Sequence, residues 1–338
     1  MNLEKNKYSQ FALCREMMDT VDVVKKFDSK QTEEIAKKIN SVGKLLLTGE
    51  GSSRIFPAKN AIRKALTEGL ESCIVTDGSR QSALYDLSKF AVFCASNSGK
   101  TKEIILLAKK LAAIGNDNRF ALSANENTPL EKECKETFVL NCGWEQAVAA
   151  TKSVIEQALF YESIIWNMIG KADPIEDSGL ADKIEKALTM SIDPKIIDLA
   201  IKAPTIYFAG YNDGVAEELT LKTNEITRKK SDFLEGTYAV HGIEEVMTKE
   251  DVVFVMDPIE EEIEKFQTVL VEGVGLKVIA ISTKETPFPT ILVRDAGEMN
   301  SHVFLSAGWN LLVEIGLALG IDLDKPERAR KVGNEFLG

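Results

Sequence analysis

The chain has 338 residues, of which 44% are apolar, and carries a formal net charge of −11. This length is enough for about two globular domains, and so acidic a chain is not expected to bind the phosphate backbone of DNA or RNA. The first ten residues are polar, and no uncharged apolar run approaches the ~20 residues of a membrane span. Five scattered cysteines without metal-binding spacing favour a reducing compartment. We therefore expect a cytoplasmic, soluble protein that binds neither membranes nor nucleic acid.

Residues 1–40 are predicted to form mainly two helices, over 11–27 and 32–42. From residue 41 onward, short apolar runs alternate with helical patterns, including one over 53–67. This alternation is typical of βαβ units and predicts a parallel sheet with helices on both faces. The predicted strands of this region lie at 44–48, 72–76, 91–95, 119–123 and 137–140.

A second copy of this pattern follows a predicted linker at 171–179, where Asp, Pro, Ser and Gly collect. Three strand-like segments recur in order at a nearly constant offset: 45–49 with 206–210, 92–96 with 253–257, and 121–123 with 280–282. A constant offset indicates internal duplication. The predicted fold is therefore α/β, with two tandem doubly wound parallel-sheet subdomains (41–170 and 171–338) after the N-terminal helices (1–40).

Two serine-rich turns follow predicted strands in the first copy: TGEGSSR (48–54) and SNSGKT (96–101). The second ends like a nucleotide-binding P-loop, but Cys94 occupies the place of its first glycine. The first begins like a dinucleotide-binding signature, but Arg54 replaces its third glycine. Hydroxyls and free backbone N–H groups at a helix N-terminus still suit a single phosphate; the alternative is ordinary helix capping. The candidate phosphate ligands are Ser52, Ser53, Ser96, Asn97, Ser98 and Thr101.

The corresponding turns of the second copy, AGYNDG and MDPIEE, are acidic and would repel a phosphate. This copy carries a different pattern, a helix over 215–230 in which Glu218, Lys222 and Glu225 share one face. The alternative reading of these three residues is a surface salt bridge. Of the two histidines, His302 falls in an apolar helix and is expected to be structural, and His241 lies in a turn. Two histidines do not suggest a metal site.

These segments together resemble the sugar isomerase (SIS) domain family, most closely the two-domain isomerase half of glucosamine-6-phosphate synthase. SNSGKT resembles the family's S-x-S-G-x-T phosphate loop, and GEGSSR resembles its other Ser/Thr turn. GWEQAVAATKS is similar to G-x-E-x-x-V-A-x-T-K, LKTNEI to L-K-L-K-E-I, and DLDKPERARKV to the D-x-D-x-P-x-x-x-x-K tail. The resemblance covers roughly residues 40–338, and its motifs occur in the family's order.

The resemblance implies a flavodoxin-like SIS fold and a role for each matching residue. The serine turns would bind the phosphate of a sugar, and Glu225 would move a proton between C1 and C2. His241 would assist ring opening, and Lys331 would contact, or form a Schiff base with, the open-chain carbonyl. Supporting and pocket residues would be Glu218, Lys222, Gly51, Trp144, Glu145 and Val148. The family uses no cofactor for this chemistry, and its catalytic histidine can come from a second subunit, which implies a homodimer with a shared active site.

Several departures from the synthase affect the expected reaction. The sequence shows no glutaminase domain and no Cys at position 2, so release of ammonia from glutamine is not expected. Trp144 stands where the synthase has a small hydroxyl residue, Lys100 replaces an acidic residue of the loop, and Glu50 precedes the first turn. The predicted function is a phosphosugar isomerase or deaminase, for example from glucosamine 6-phosphate to fructose 6-phosphate plus ammonia. The alternatives are a deglycase of phosphorylated fructosamine-type adducts and a phosphosugar-binding sensor without catalysis.

Overall fold

Two five-stranded parallel sheets form the framework of the computed structural model, which describes residues 1–332 and 334–337. The chain divides into two units. The first-sheet unit contains residues 22–146, 150–173 and, of the C-terminal residues, 328–332 and 334–337. The second-sheet unit contains residues 1–21, 147–149 and 174–327. Tandem parallel sheets of this kind confirm the predicted fold class.

The first sheet has the strand order β2-β1-β3-β4-β5, with all neighbouring strands parallel. Its central strand β3 is buried at every position, because helices cover both faces of a parallel sheet. The five predicted strands are confirmed, with ends that differ by at most two residues. Their bounds are β1 Lys44–Gly49, β2 Cys73–Gly78, β3 Ala91–Ala95, β4 Arg119–Ser123 and β5 Glu136–Val139.

An aromatic cluster fills one face of this sheet, with ring centroids 5.1–6.5 Å apart; its members are Phe93, Phe120, Phe138, Phe160 and Tyr161. The helices of the unit are α3 Glu33–Val42, α4 Ile55–Thr67, α5 Ser79–Ser82, α6 Lys102–Ala113 and α7 Lys152–Ile169. Single 3₁₀ turns occur at Ser29–Thr32, Gly51–Ser53 and Glu131–Glu133. Residues 128–131 form a T-P-L-E capping box, in which the Thr128 hydroxyl accepts a hydrogen bond from Glu131 N and the Glu131 carboxylate accepts one from Thr128 N.

The second sheet repeats the first, with the order β10-β9-β8-β6-β7. When β6 to β10 are read as copies of β1 to β5, the two strand orders are the same. This agreement confirms the internal duplication expected from the sequence. The bounds are β6 Thr205–Gly210, β7 Lys230–Glu235, β8 Val252–Met256, β9 Lys277–Ser282 and β10 Thr290–Leu292.

Helix α10 (Val215–Thr227) packs closely against α12 (Asn300–Ala318) at Gly308, where an added Cβ would lie 2.4 Å from Leu219 Cδ2. The helices of this unit are α1 Asn6–Ser9, α8 Leu180–Thr189, α9 Pro194–Lys202, α10 Val215–Thr227, α11 Ile263–Phe266 and α12 Asn300–Ala318. An eight-residue π-helix, Gln267–Val274, continues α11, and 3₁₀ turns occur at Tyr238–Val240, Ile243–Val246, Glu260–Glu262 and Gly297–Met299.

The N-terminal segment contains one helix more than the sequence predicted, because the short α1 precedes α2 (Ala12–Lys26). The two units divide within α2, after Val21. The start of α2 is capped from far along the chain: the Asp324 carboxylate accepts hydrogen bonds from the N–H groups of Ala12 (2.6 Å) and Leu13 (2.9 Å). Among the described residues, no helix is long and apolar enough to span a membrane.

Candidate functional site

The two serine-rich turns of the first-sheet unit leave the same edge of the sheet. Strands β1 and β3 are parallel neighbours, with Thr48 opposite Cys94. The 3₁₀ turn Gly51–Ser53 follows β1, and the loop 96–101, here called the serine loop, follows β3. Carboxyl ends of adjacent strands are the usual ligand site of doubly wound sheets. The structure therefore brings together the two turns that the sequence predicted to act together.

The serine loop is folded back on itself at the start of α6. The hydroxyls of Ser96 and Thr101 lie 2.9 Å apart, and Gly99 N donates to Ser96 O at 2.9 Å. The Ser98 hydroxyl accepts a hydrogen bond from Lys100 N at 3.2 Å. Hydroxyls grouped at the N-terminus of a twelve-residue helix provide donors and a favourable dipole for an anion.

Glu50, just before the 3₁₀ turn, has its carboxylate directed to the start of α5, which follows the neighbouring strand β2. Its carboxylate accepts hydrogen bonds from Ser79 N at 3.0 Å and from the Ser79 hydroxyl at 2.6 Å, and so caps the short α5. Within the turn itself, Ser52 and Ser53 are half-buried and Gly51 is exposed. The Ser53 carbonyl accepts a hydrogen bond from the Gln157 side chain of α7, which fixes the position of the turn.

Gly99 is required at its place in the serine loop. Its φ of +63° lies in the left-handed region, and an added Cβ would come within 2.3 Å of the Thr128 side chain. We expect Gly99→Ala to lower the free energy of unfolding by more than the ~1–2 kcal/mol that the left-handed backbone alone costs. It should also weaken the phosphate binding that the sequence predicts for this loop by about tenfold or more, because Thr128 and the loop must move apart. Urea unfolding and calorimetric titration measure the two effects.

The matched control is Gly115→Ala, at the end of α6. Gly115 has a similar φ of +72° but no neighbour within 4 Å of an added Cβ. The Gly115→Ala variant should lose stability only through the strained backbone conformation and should keep its affinity for the ligand. Equal losses of affinity in the two variants would contradict the assignment of the serine loop.

Glu145 is the buried centre of the GWEQAVAATKS segment. Its carboxylate accepts hydrogen bonds from Asn97 Nδ2 (2.8 Å), Thr151 N (2.7 Å) and the Ser153 hydroxyl (2.5 Å). Lys331 Nζ lies 3.9 Å from Glu145 Oε2, and the Lys331 side chain is 18% exposed. Within the first-sheet unit, three residues that the resemblance singled out, Asn97, Glu145 and Lys331, thus form one connected group beside the serine loop.

The C-terminal tail reaches this group by pairing with the start of α6, which the sequence did not reveal. Lys102 N donates to Asn334 O, and Phe336 N donates to Lys100 O, both at 2.9 Å. The Phe336 ring packs against a buried cluster of the first-sheet unit. Lys100 Nζ lies 3.5 Å from the Glu335 carboxylate. Lys100, which stands where the synthase loop has an acidic residue, therefore pairs with the C-terminal tail.

In the second-sheet unit, the predicted helix face carries a buried ion triad. Lys222 Nζ lies 3.2 Å from Glu218 Oε1 and 2.9 Å from Glu225 Oε2. Lys222 and Glu218 are fully buried, whereas the Glu225 side chain is 26% exposed. The alternative of a surface salt bridge is therefore wrong. Burial by itself lowers the pKa of the Lys222 ammonium, but the carboxylates of Glu225 and Glu218 outweigh it and raise that pKa above its ordinary value.

The two histidines differ as the sequence suggested. His302 is fully buried in α12. His241 is exposed between two 3₁₀ turns, next to Gly242 with its φ of +108°. Its Nε2 lies 3.2 Å from Lys265 Nζ of α11, a contact that could not be predicted from the sequence.

The remaining predicted pocket residues have different surroundings. Trp144 is 49% exposed, although the adjacent Glu145 is fully buried. Val148 is partly buried and groups with the second-sheet unit, together with Ala147, whose N–H donates to the Glu16 carboxylate at 3.2 Å.

Comparison with known proteins gives matches of structure but not of sequence. No protein-family model matches the chain, and no curated protein matches it. The C-terminal domain of glucosamine-fructose-6-phosphate aminotransferase from Francisella tularensis superposes with a TM-score of 0.78 at 17% identity, over 95% of this chain and 100% of that one. Glucosamine-6-phosphate deaminase from Thermotoga maritima superposes with a TM-score of 0.72 at 19% identity, over 95% of this chain and 99% of that one. Tagatose-6-phosphate ketose/aldose isomerase from Escherichia coli superposes with a TM-score of 0.76 at 15% identity, over 96% of this chain and 99% of that one.

Proposed function

We propose that this chain, which has the fold of the sugar isomerase domain proteins, is a phosphosugar aldose–ketose isomerase or deaminase. Its substrate would be a hexose or aminohexose 6-phosphate, such as glucosamine 6-phosphate. Solved structures with this fold include a deaminase and a ketose/aldose isomerase of 6-phosphosugars. In this proposal the serine turns bind the phosphate, and Glu225 is the base.

The observation that carries the proposal is the environment of Glu225. Proton transfer at carbon needs a carboxylate that is held in one orientation and is still accessible. Lys222 fixes the Glu225 carboxylate at 2.9 Å, and about a quarter of its side chain remains exposed. Glu218, held by the same lysine, is fully buried and cannot take this role.

The proposed reaction balances without an added oxidant or reductant. His241 would assist ring opening of the sugar. Glu225 removes the proton from C2 of the open-chain aldose, and an enediol, or an enolamine for an amino sugar, forms between C1 and C2. Return of a proton to C1 gives the ketose or its C2 imine; the imine then takes up water and releases ammonia. A cation such as Lys331 would stabilise the negative charge that develops on the carbonyl oxygen.

A panel of hexose, hexosamine and fructosamine 6-phosphates in deuterated water tests this function. We expect NMR to detect deuterium entering C1 or C2 of at least one of them, together with ammonia if the substrate is an amino sugar. The unphosphorylated sugars are the control and should bind far more weakly. Cleavage of a fructosamine adduct to a sugar phosphate and an amino acid would identify the deglycase instead. Binding without exchange, ammonia or cleavage would contradict the proposal and identify a sensor.

We also propose that the active form is a homodimer in which His241 serves the neighbouring copy. The exposure of His241 supports this, and the family resemblance implies it. If so, mixing Glu225→Gln with His241→Gln chains should restore activity, since one site of each mixed dimer keeps both groups. The single variants refolded alone are the controls. No recovery in the mixture would place both groups in the same chain.

A further inference from the structure

Lys100 adds a positive charge to the serine loop just before α6. It lies between Gly99 and Thr101, and the helix begins directly after Thr101. In P-loops, the lysine of a Gly-Lys-Thr sequence at the start of a helix contacts a phosphate as a point charge. The first glycine of a P-loop is missing here, because Cys94 occupies its place, but a single phosphate does not need the complete loop. A phosphate bound at the start of α6 would therefore have an ammonium group in the same loop.

The main chain of Lys100 is held on both sides, whereas its side chain is accessible. Lys100 N donates to the Ser98 hydroxyl at 3.2 Å, and Lys100 O accepts a hydrogen bond from Phe336 N at 2.9 Å. The side chain itself is 51% exposed. Its flexible four-carbon stem can therefore turn from one partner to another while the serine loop keeps its shape.

Glu335 of the C-terminal tail is the present partner of this ammonium group, with its carboxylate 3.5 Å from Lys100 Nζ. Other contacts hold Glu335 in this place. Its main chain forms an antiparallel bridge with Thr101. The next residue, Phe336, packs against a buried cluster of the first-sheet unit, and Lys109 Nζ lies 4.3 Å from the centroid of its ring. The Glu335 carboxylate therefore remains beside the serine loop whichever way the Lys100 side chain points.

We propose that Lys100 is a ligand of the substrate phosphate and that Glu335 competes with the phosphate for its ammonium group. The inference rests on the proposed function, because it takes the serine loop as the phosphate site. At pH 7 a phosphate monoester carries about 1.5–2 negative charges, more than a carboxylate does. The hydroxyls of the serine loop and the start of α6 attract it as well. On binding, the Lys100 side chain therefore turns from Glu335 to the phosphate.

The exposure of the ion pair limits how strongly Glu335 competes. The side chains of Lys100 and Glu335 are 51% and 44% exposed, and exposed pairs change an equilibrium constant by at most about fivefold. The apparent affinity for phosphate falls in proportion to the fraction of chains in which the ammonium group is not held by Glu335. Loss of the Glu335 carboxylate should therefore tighten phosphate binding, but only while Lys100 is present.

NMR titration of the full chain with inorganic phosphate tests this exchange, with the backbone amide signals of residues 96–101 as the readout. We expect Glu335→Gln to tighten phosphate binding about two- to fivefold. Lys100→Met should weaken it about tenfold, because a charged contact to the phosphate is lost. The double variant should bind phosphate like Lys100→Met. The control is Glu34→Gln, which removes an exposed carboxylate paired with Lys37 in the same unit and should leave binding unchanged.

Two results would overturn the exchange but leave the serine loop as the phosphate site. The first is phosphate binding that shifts the loop amides with equal affinity in the unaltered chain, Lys100→Met and Glu335→Gln. The second is a tightening by Glu335→Gln that persists when Lys100 is replaced by Met, because the carboxylate would then repel the phosphate directly. Phosphate that shifts these amides in none of the chains would instead overturn the phosphate role of the loop, and with it the proposed function.

Discussion

Glu225→Gln is expected to slow the exchange of the substrate C1 or C2 proton with solvent deuterium by about 10²–10⁴-fold. Glutamine keeps the size of the side chain and can still accept a hydrogen bond from Lys222 at the observed 2.9 Å. It cannot take up a proton from carbon at neutral pH. Binding of the sugar phosphate should therefore survive, because the serine turns belong to the first-sheet unit and Glu225 does not. Deuterium wash-in by NMR and calorimetric titration measure the two properties separately.

The control is Glu185→Gln, which removes an exposed carboxylate of α8 in the same unit. It should leave both exchange and binding as they are. Exchange that continues in Glu225→Gln at the rate of the unaltered chain would show that another group is the base. Loss of binding together with exchange would instead assign Glu225 a role in holding the substrate.

The framework of this protein could be predicted from the sequence because its signals are local. A strand such as 91–95 is a continuous apolar run, as expected when both faces of a parallel sheet are covered. The serine-rich turns could be placed on one rim because parallel strands present their carboxyl ends together. The spacing of Glu218, Lys222 and Glu225 also predicted one helix face, although only the structure shows that Lys222 and Glu218 are buried.

Contacts between segments that are distant along the chain could not be predicted from the sequence. The pairing of the tail with the start of α6 joins residues more than two hundred positions apart and has no periodic pattern. Glu145 likewise accepts hydrogen bonds from the side chains of Asn97 and Ser153. These contacts depend on how the chain folds back. Phe336, the one aromatic residue of the charged tail from Asp322 onward, is a local signal that could have marked an anchoring residue.

The buried triad also gives the stability of the protein a defined pH dependence. The carboxylates of Glu225 and Glu218 outweigh the effect of burial, so the pKa of Lys222 is higher in the folded state than in the unfolded chain. A raised pKa means that the folded state holds its proton more tightly. The stabilisation should be fully present below the unfolded pKa of about 10.4. It should be lost as the pH rises through the folded value, and urea unfolding measured from pH 8 upward follows this loss.

Lys222→Met should destabilise the protein by about 3–5 kcal/mol, because it removes the cation that lies 3.2 Å from the buried Glu218 carboxylate. The double variant Glu218→Gln, Lys222→Met should recover part of this loss, since it removes the buried carboxylate charge as well. Lys202→Met is the matched control, because Lys202 forms an i,i+4 pair with Asp198 on the exposed surface. Urea unfolding should show no measurable change in that control. Equal losses in the buried and exposed variants would mean that the triad contributes no more than a surface ion pair and does not fix the orientation of Glu225.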